Sequence, residues 1–143
     1  MRKLSTLFLL LTLISACSIV PSKIEYGNDA CHFCTMTIVD EQHATEIVTK
    51  KGKAFKYDAI ECLLNDLKNT DIGTIELFLV TDYLNPASLI DANTATYLIS
   101  PAIKSPMGAN LSAFATKEAA EKFVKSDADK LFSWQEIQKQ NFK

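Results

Sequence analysis

Ala44-Thr45-Glu46-Ile47-Val48-Thr49-Lys50-Lys51-Gly52-Lys53-Ala54-Phe55-Lys56-Tyr57-Asp58-Ala59-Ile60-Glu61-Cys62-Leu63-Leu64-Asn65-Asp66-Leu67-Lys68 is the stretch whose reading decides the fold. Its apolar period changes once. Ala44 to Lys50 is strand-like, with Ile47 and Val48 apolar and Thr45 and Thr49 β-branched. Lys51-Gly52 signals a hairpin turn. Lys53 to Tyr57 alternates, with Phe55 and Tyr57 on one face. Ile60, Leu63, Leu64 and Leu67 then stand at i, i+3, i+4 and i+7, which predicts a helix over Ala59–Lys68. Asp58 reads as its N-cap, with Glu61 as capping-box partner. Cys62 lies to one side of the stripe. The unit is strand–strand–helix.

Toward the C-terminus the pattern returns. Ile72–Thr81 reads as a strand, and Ser88–Ile90 and Ala95–Ile99 as shorter ones. Residues 100–110 carry Pro101, Pro106 and Gly108 and predict an irregular loop. Leu111–Ala115 is a strand, Thr116 a cap, Lys117–Lys125 a helix and Leu131–Trp134 a last strand or turn before a polar helical tail. The halves rhyme: Ala44-Thr45-x-Ile47-Val48, Phe55 and Asp58-Ala59-x-Glu61 return as Ala95-Thr96-x-Leu98-Ile99, Phe114 and Glu118-Ala119-x-Glu121. The expected fold is α+β, two strand–strand–helix units at about 30–70 and 71–135 packed into one small body.

Toward the N-terminus, Cys31-His32-Phe33-Cys34-Thr35-Met36 concentrates two thiols, an imidazole and a thioether. Such sulfur donors select Cu(I), zinc or iron–sulfur clusters, and Met favours Cu(I) over zinc. Thr37-Ile38-Val39 reads as a short strand, so alternation puts Cys34 and Met36 on one face. Met107, between Pro106 and Gly108, is the third sulfur, placed at the seam between the units. Cys31 joins as a ligand or as a disulfide partner of Cys34. Cys62 and His32 are secondary candidates. His43 reads as a solvated turn residue.

Met1-Arg2-Lys3, the apolar Leu4–Ile14 and the small Ser15-Ala16 form an export signal over residues 1–16. Ile14-Ser15-Ala16-Cys17 resembles the lipobox of bacterial lipoproteins, with Cys17 lipidated and anchoring the chain to a bacterial membrane on its periplasmic side. Residues 17–29 then form the anchor and tether, and residues 30–143 the metal-binding domain. Of four cysteines, Cys17 leaves three, an odd count that leaves at least one thiol unpaired. Loss of Arg2 and Lys3 with the leader leaves 13 basic against 17 acidic residues, a net charge of −4. With no basic patch, nucleic acid is not an expected partner. With two histidines and four glycines, the chain lacks the parts of most hydrolases and nucleotide enzymes.

Two other readings use the same residues. Cys31 and Cys34 form the C-x-x-C of a thiol–disulfide oxidoreductase, although that motif ordinarily opens a helix. Cys31, Cys34, Cys62 and a histidine supply four donors for structural zinc, without a second paired motif. A c-type haem needs histidine directly after the second cysteine, where Thr35 stands.

Cys17 in its lipobox, Cys31-x-x-Cys34-x-Met36-x-Ile38, Phe55-x-x-Asp58-x-x-Glu61-Cys62 and Met107-Gly108 followed by Phe114 together resemble the NosL family of copper-chaperone lipoproteins. The resemblance covers most of residues 17–125. It implies a pair of ββα units, Cu(I) binding without catalysis, and delivery of copper to nitrous oxide reductase during its maturation. It implies Cys34, Met36 and Met107 as ligands, in a trigonal site, and it leaves pairing of two chains across one ion as a further expectation. The family places glycine where this chain has Thr35, which makes the turn tighter for a residue with a side chain.

Overall fold

The structure, a computed structural model, describes residues 19–142, so the export signal and Cys17 lie outside the described residues. The first unit forms as its periodicity requires. Strand β1 (Thr45–Thr49) pairs antiparallel with β2 (Ala54–Tyr57), in the register Thr45↔Tyr57 to Val48↔Ala54. The intervening turn closes through Gly52, which has φ +80° and whose N–H donates to the Thr49 carbonyl at 2.8 Å. Helix α1 (Ile60–Leu67) buries Ile60, Leu63, Leu64 and Leu67.

Asp58 does not cap that helix. The N-cap position is Ala59, in extended backbone and with no side-chain bond to the first turn: β2 ends at Tyr57, and Asp58 and Ala59 form a bend ahead of the first helical residue, Ile60. A missing cap costs about 1 kcal/mol. Burial of each large apolar side chain returns about 1.5–3 kcal/mol, so packing decides the helix.

A 3-10 turn at Ile72–Thr74 leads into β3 (Ile75–Thr81), which adds to the free side of β1, and β4 (Leu89–Asp91) adds to β3. The first sheet therefore has the order β2-β1-β3-β4. The second is built from β5 (Thr96–Ile99), β6 (Leu111–Phe114) and β7 (Lys130–Phe132) in the order β6-β5-β7. A parallel bridge between Asp82 and Ala113 joins the two. The apolar core lies across both sheets, bringing Ile38, Ile47 and Leu63 together with Tyr97, Leu111, Trp134 and Ile137.

Helix α2 (Lys117–Glu121) is shorter than the sequence suggests. The chain tightens after Glu121, with Phe123 and Val124 bonding three residues back, and this turns the Phe123 ring onto Tyr83 and Phe114. Helix α3 (Trp134–Ile137) buries Trp134 and Ile137 and starts where the Glu136 carboxylate accepts from the N–H and hydroxyl of Ser133. Among the described residues no helix is long and apolar enough to cross a membrane.

Residues 22–29, part of the expected tether, are packed on the body. The buried Glu46 accepts from the Ser22 N–H at 2.7 Å and from its hydroxyl at 3.2 Å. Ile24 is in the core.

Candidate metal centre

The segment Thr37-Ile38-Val39 is not a strand. Only Thr37 bridges, to Ala30, and Cys31–Met36 closes a tight loop between them. The Cys31 N–H donates to the Met36 carbonyl at 2.8 Å, and the Thr35 N–H donates to the Cys31 carbonyl at 2.9 Å. The Cys34 N–H points at the Cys31 sulfur at 3.5 Å. Thr35 takes φ +64°. This is left-handed backbone, which costs a residue with a Cβ roughly 1–2 kcal/mol. A β-branched side chain is especially ill suited there. The expectation that Cys34 and Met36 share a strand face fails with the strand.

The loop sits on the outer side of β2, the edge strand, where the His32 N–H donates to the Lys56 carbonyl at 2.8 Å. Its exposed imidazole leans on Phe55, with ring centroids 4.4 Å apart. This attachment lays Cys31 beside the start of α1, where Cys62 is fully buried. The sulfurs of Cys31, Cys34 and Cys62 all lie within 4.8 Å of one another, and all three are free thiols. Cys62, a secondary candidate in the sequence, therefore stands with the C-x-x-C pair. The signal for it was present in Phe55-x-x-Asp58-x-x-Glu61-Cys62, but its offset from the apolar stripe left it only a secondary candidate.

The trio shares its protons unequally. The Cys62 thiol bonds to Cys31, and backbone bonds from Cys34, Asp58 and Phe33 add to this, outweighing burial and lowering the Cys31 pKa to about 5. Cys62, as partner of that thiolate and fully buried, is pushed far up. Burial raises Cys34 as well. At neutral pH the group is one thiolate between two thiols. Burial, with the Cys31 charge next in weight, raises Asp58 to about 6. Among the described residues this trio is the one group of three or more His, Cys, Asp or Glu side chains close enough to hold an ion.

The thioethers are placed differently. Met36 ends the loop and is 50% exposed. Met107 is half-buried in the irregular loop between β5 and β6, packed against the core cluster that contains Cys31 and Cys62. His43 is not solvated. It is buried, its Nδ1 lies 3.0 Å from an Asp40 carboxylate oxygen and its Nε2 3.0 Å from the Ser112 hydroxyl, so it ties the first half to β6.

Residues 22–142 match the family described as NosL. The chain belongs to the NosL family. Among solved structures, the crystal structure of the copper chaperone NosL from Shewanella denitrificans is similar to it, with a TM-score of 0.73 and 22% identity, over 85% of this chain and 98% of that one. At that identity the likeness concerns the NosL fold, two antiparallel sheets with short helices. No curated protein sequence matches the chain significantly.

Proposed function

We propose that the chain is an exported, lipid-anchored Cu(I) metallochaperone that hands copper to an extracytoplasmic copper enzyme, nitrous oxide reductase by family resemblance. The observation that carries this reading is the three-cysteine group at one end of a NosL body, partly open through the half-exposed Cys34. A solved protein of the same fold is named a copper chaperone. The work is carriage and not catalysis.

Three sulfurs suit Cu(I), which accepts low coordination numbers. Structural zinc takes four protein ligands. Here no His, Asp or Glu completes the trio among the described residues. The nearby imidazoles are engaged elsewhere, His32 on Phe55 and His43 between Asp40 and Ser112. Capture starts at the Cys31 thiolate, which needs no deprotonation at neutral pH. Engagement of Cys34 or Cys62 releases a proton, so affinity rises with pH above neutrality. Met36 and Met107 act as neutral thioether donors that a partner's ligands displace stepwise. The exposed Met36 side is the side of transfer, and it also allows two chains to share one ion.

Lipidation of Cys17 fits the packing of Ser22 against Glu46. The five intervening steps span at most about 17 Å of extended chain, at ~3.4 Å per residue, which holds the site near the membrane surface.

The test is an anaerobic Cu(I) titration of the reduced chain against a chromophoric Cu(I) chelator, with Zn(II) in parallel and mass measured at each ratio. The expected result is one tightly held Cu(I) per chain, lost in Cys34→Ala and not displaced by zinc. Preference for zinc, or no metal binding together with a readily cycled Cys31–Cys34 disulfide, refutes the copper reading.

A further inference from the structure

The Met107 loop is fastened to the cysteine-bearing helix by a carboxyl that metal capture leaves unused. Glu61 precedes Cys62 on α1 and is 1% exposed. Glutamate is almost never buried to this degree without a specific partner. Its partner comes from the other half of the molecule: the Ser105 hydroxyl donates to Glu61 Oε1. The Ser105 oxygen in turn accepts the Asn110 N–H at 2.9 Å. Oε2 has no hydrogen-bond partner among the described residues, so Ser105 is the group that holds this carboxyl.

The loop is shaped to be held at this point. The Gly108 N–H closes on the Ser105 carbonyl at 3.0 Å, and Gly108 and Asn110 both take left-handed backbone, with φ +81° and +59°. Ser105–Asn110 is thus a small closed ring of chain. Its base is bound to the residue next to Cys62, and Met107 rides on its rim, half-buried against the core that holds the cysteines.

We propose that Glu61 is a positioning residue: by gripping Ser105 it holds the Met107 thioether at the cysteine group. The inference rests on the reading of Met107 as a Cu(I) ligand. A residue that orients a metal ligand from behind is worth about 10–100-fold in affinity. Ser105 is the milder place to cut, since loss of one hydroxyl leaves the helix untouched.

The experiment is Cu(I) affinity by chelator competition, with copper X-ray absorption, on the detergent-solubilised full chain and four variants: Ser105→Ala, Met107→Ala, the double variant and Glu61→Gln. Ser105→Ala is expected to weaken Cu(I) binding about tenfold and to remove one sulfur from the copper shell. It is expected to add nothing once Met107 is alanine. Glu61→Gln, whose amide oxygen still accepts the Ser105 hydroxyl, is expected to retain both affinity and sulfur count. If Met107→Ala weakens binding and Ser105→Ala does not, or if Ser105→Ala weakens binding equally in the Met107→Ala background, the positioning role is overturned while the ligand reading stands. If Met107→Ala leaves affinity and sulfur count unchanged, Met107 is no ligand and the role of Glu61 falls with it.

Discussion

The first half of the molecule and the second are built to one plan and put to different uses. In each, the first strand is central, its hairpin partner lies on one side, and the strand that follows the helix lies on the other: β2-β1-β3 and β6-β5-β7. In each, the helix begins three residues after the hairpin ends, at Ile60 after Tyr57 and at Lys117 after Phe114. This places Asp58 opposite Ala115, Ala59 opposite Thr116 and Cys62 opposite Ala119.

The second half uses these positions conventionally. Thr116 caps its helix by accepting from the Ala119 N–H. The first half has no such cap. It buries Asp58 and Cys62 beside the Cys31 thiolate, and Glu61 against Ser105 of the other half. Buried ionisable groups of this kind oppose stability and mark the half that carries the chemistry. The same fold thus yields one conventionally capped copy and one that carries the three-cysteine group.

The strongest way to break the comparison is to make the first helix resemble the second at the sulfur. Cys62→Ala installs the residue found at Ala119. It removes the main bond that holds the Cys31 pKa near 5, so that pKa should climb toward its ordinary value. Cu(I) affinity should fall by more than about tenfold at neutral pH. Thiolate absorbance against pH and chelator competition check the two effects. Retained affinity would exclude Cys62 from the site.

Asp58→Asn tests the electrostatic half of the contrast. Folded Asp58 holds its proton up to about pH 6, against an ordinary value of 3.8. Between those values folding takes up a proton, so the contribution of Asp58 to stability is complete below about pH 4 and is lost as pH rises through 6. The stability of the parent relative to Asp58→Asn should therefore decline across that window. Denaturant titrations of both metal-free chains at several pH values measure it. A flat difference would show that Asp58 is not desolvated.

The smallest effect belongs to the second half. Thr116→Ala removes a cap worth about 1 kcal/mol. It should lower thermal stability modestly and leave Cu(I) affinity unchanged, since α2 carries no sulfur. A change in copper affinity would mean that the halves are more tightly coupled than their separate roles suggest.

Much of this was legible in the chain. Ile60, Leu63, Leu64 and Leu67 declared α1, Lys51-Gly52 the hairpin, and the prolines of residues 100–110 the irregular loop. The rhyme between Thr45 and Thr96 located the repeat, because both open the central strand. The rest of the rhyme was misregistered. Phe114 stands opposite Thr96 as Tyr57 stands opposite Thr45, and Phe55 lies two residues short. Similar residues in adjacent turns look alike in sequence, and only strand pairing tells them apart.

Sequence alone determined most of the elements and that Cys31 and Cys34 lie close together, because periodicity, turn chemistry and close spacing are local. Tertiary structure decided the rest. It brought Cys62 to the pair across about 30 residues of chain, by hanging the loop on the edge of β2 and packing α1 behind it. It buried His43 against Ser112 and Glu61 against Ser105, partners that lie in the other half. It withdrew Asp58 from the cap. Each of these depends on the free energy of packing one half against the other, and no local pattern of residues records that quantity.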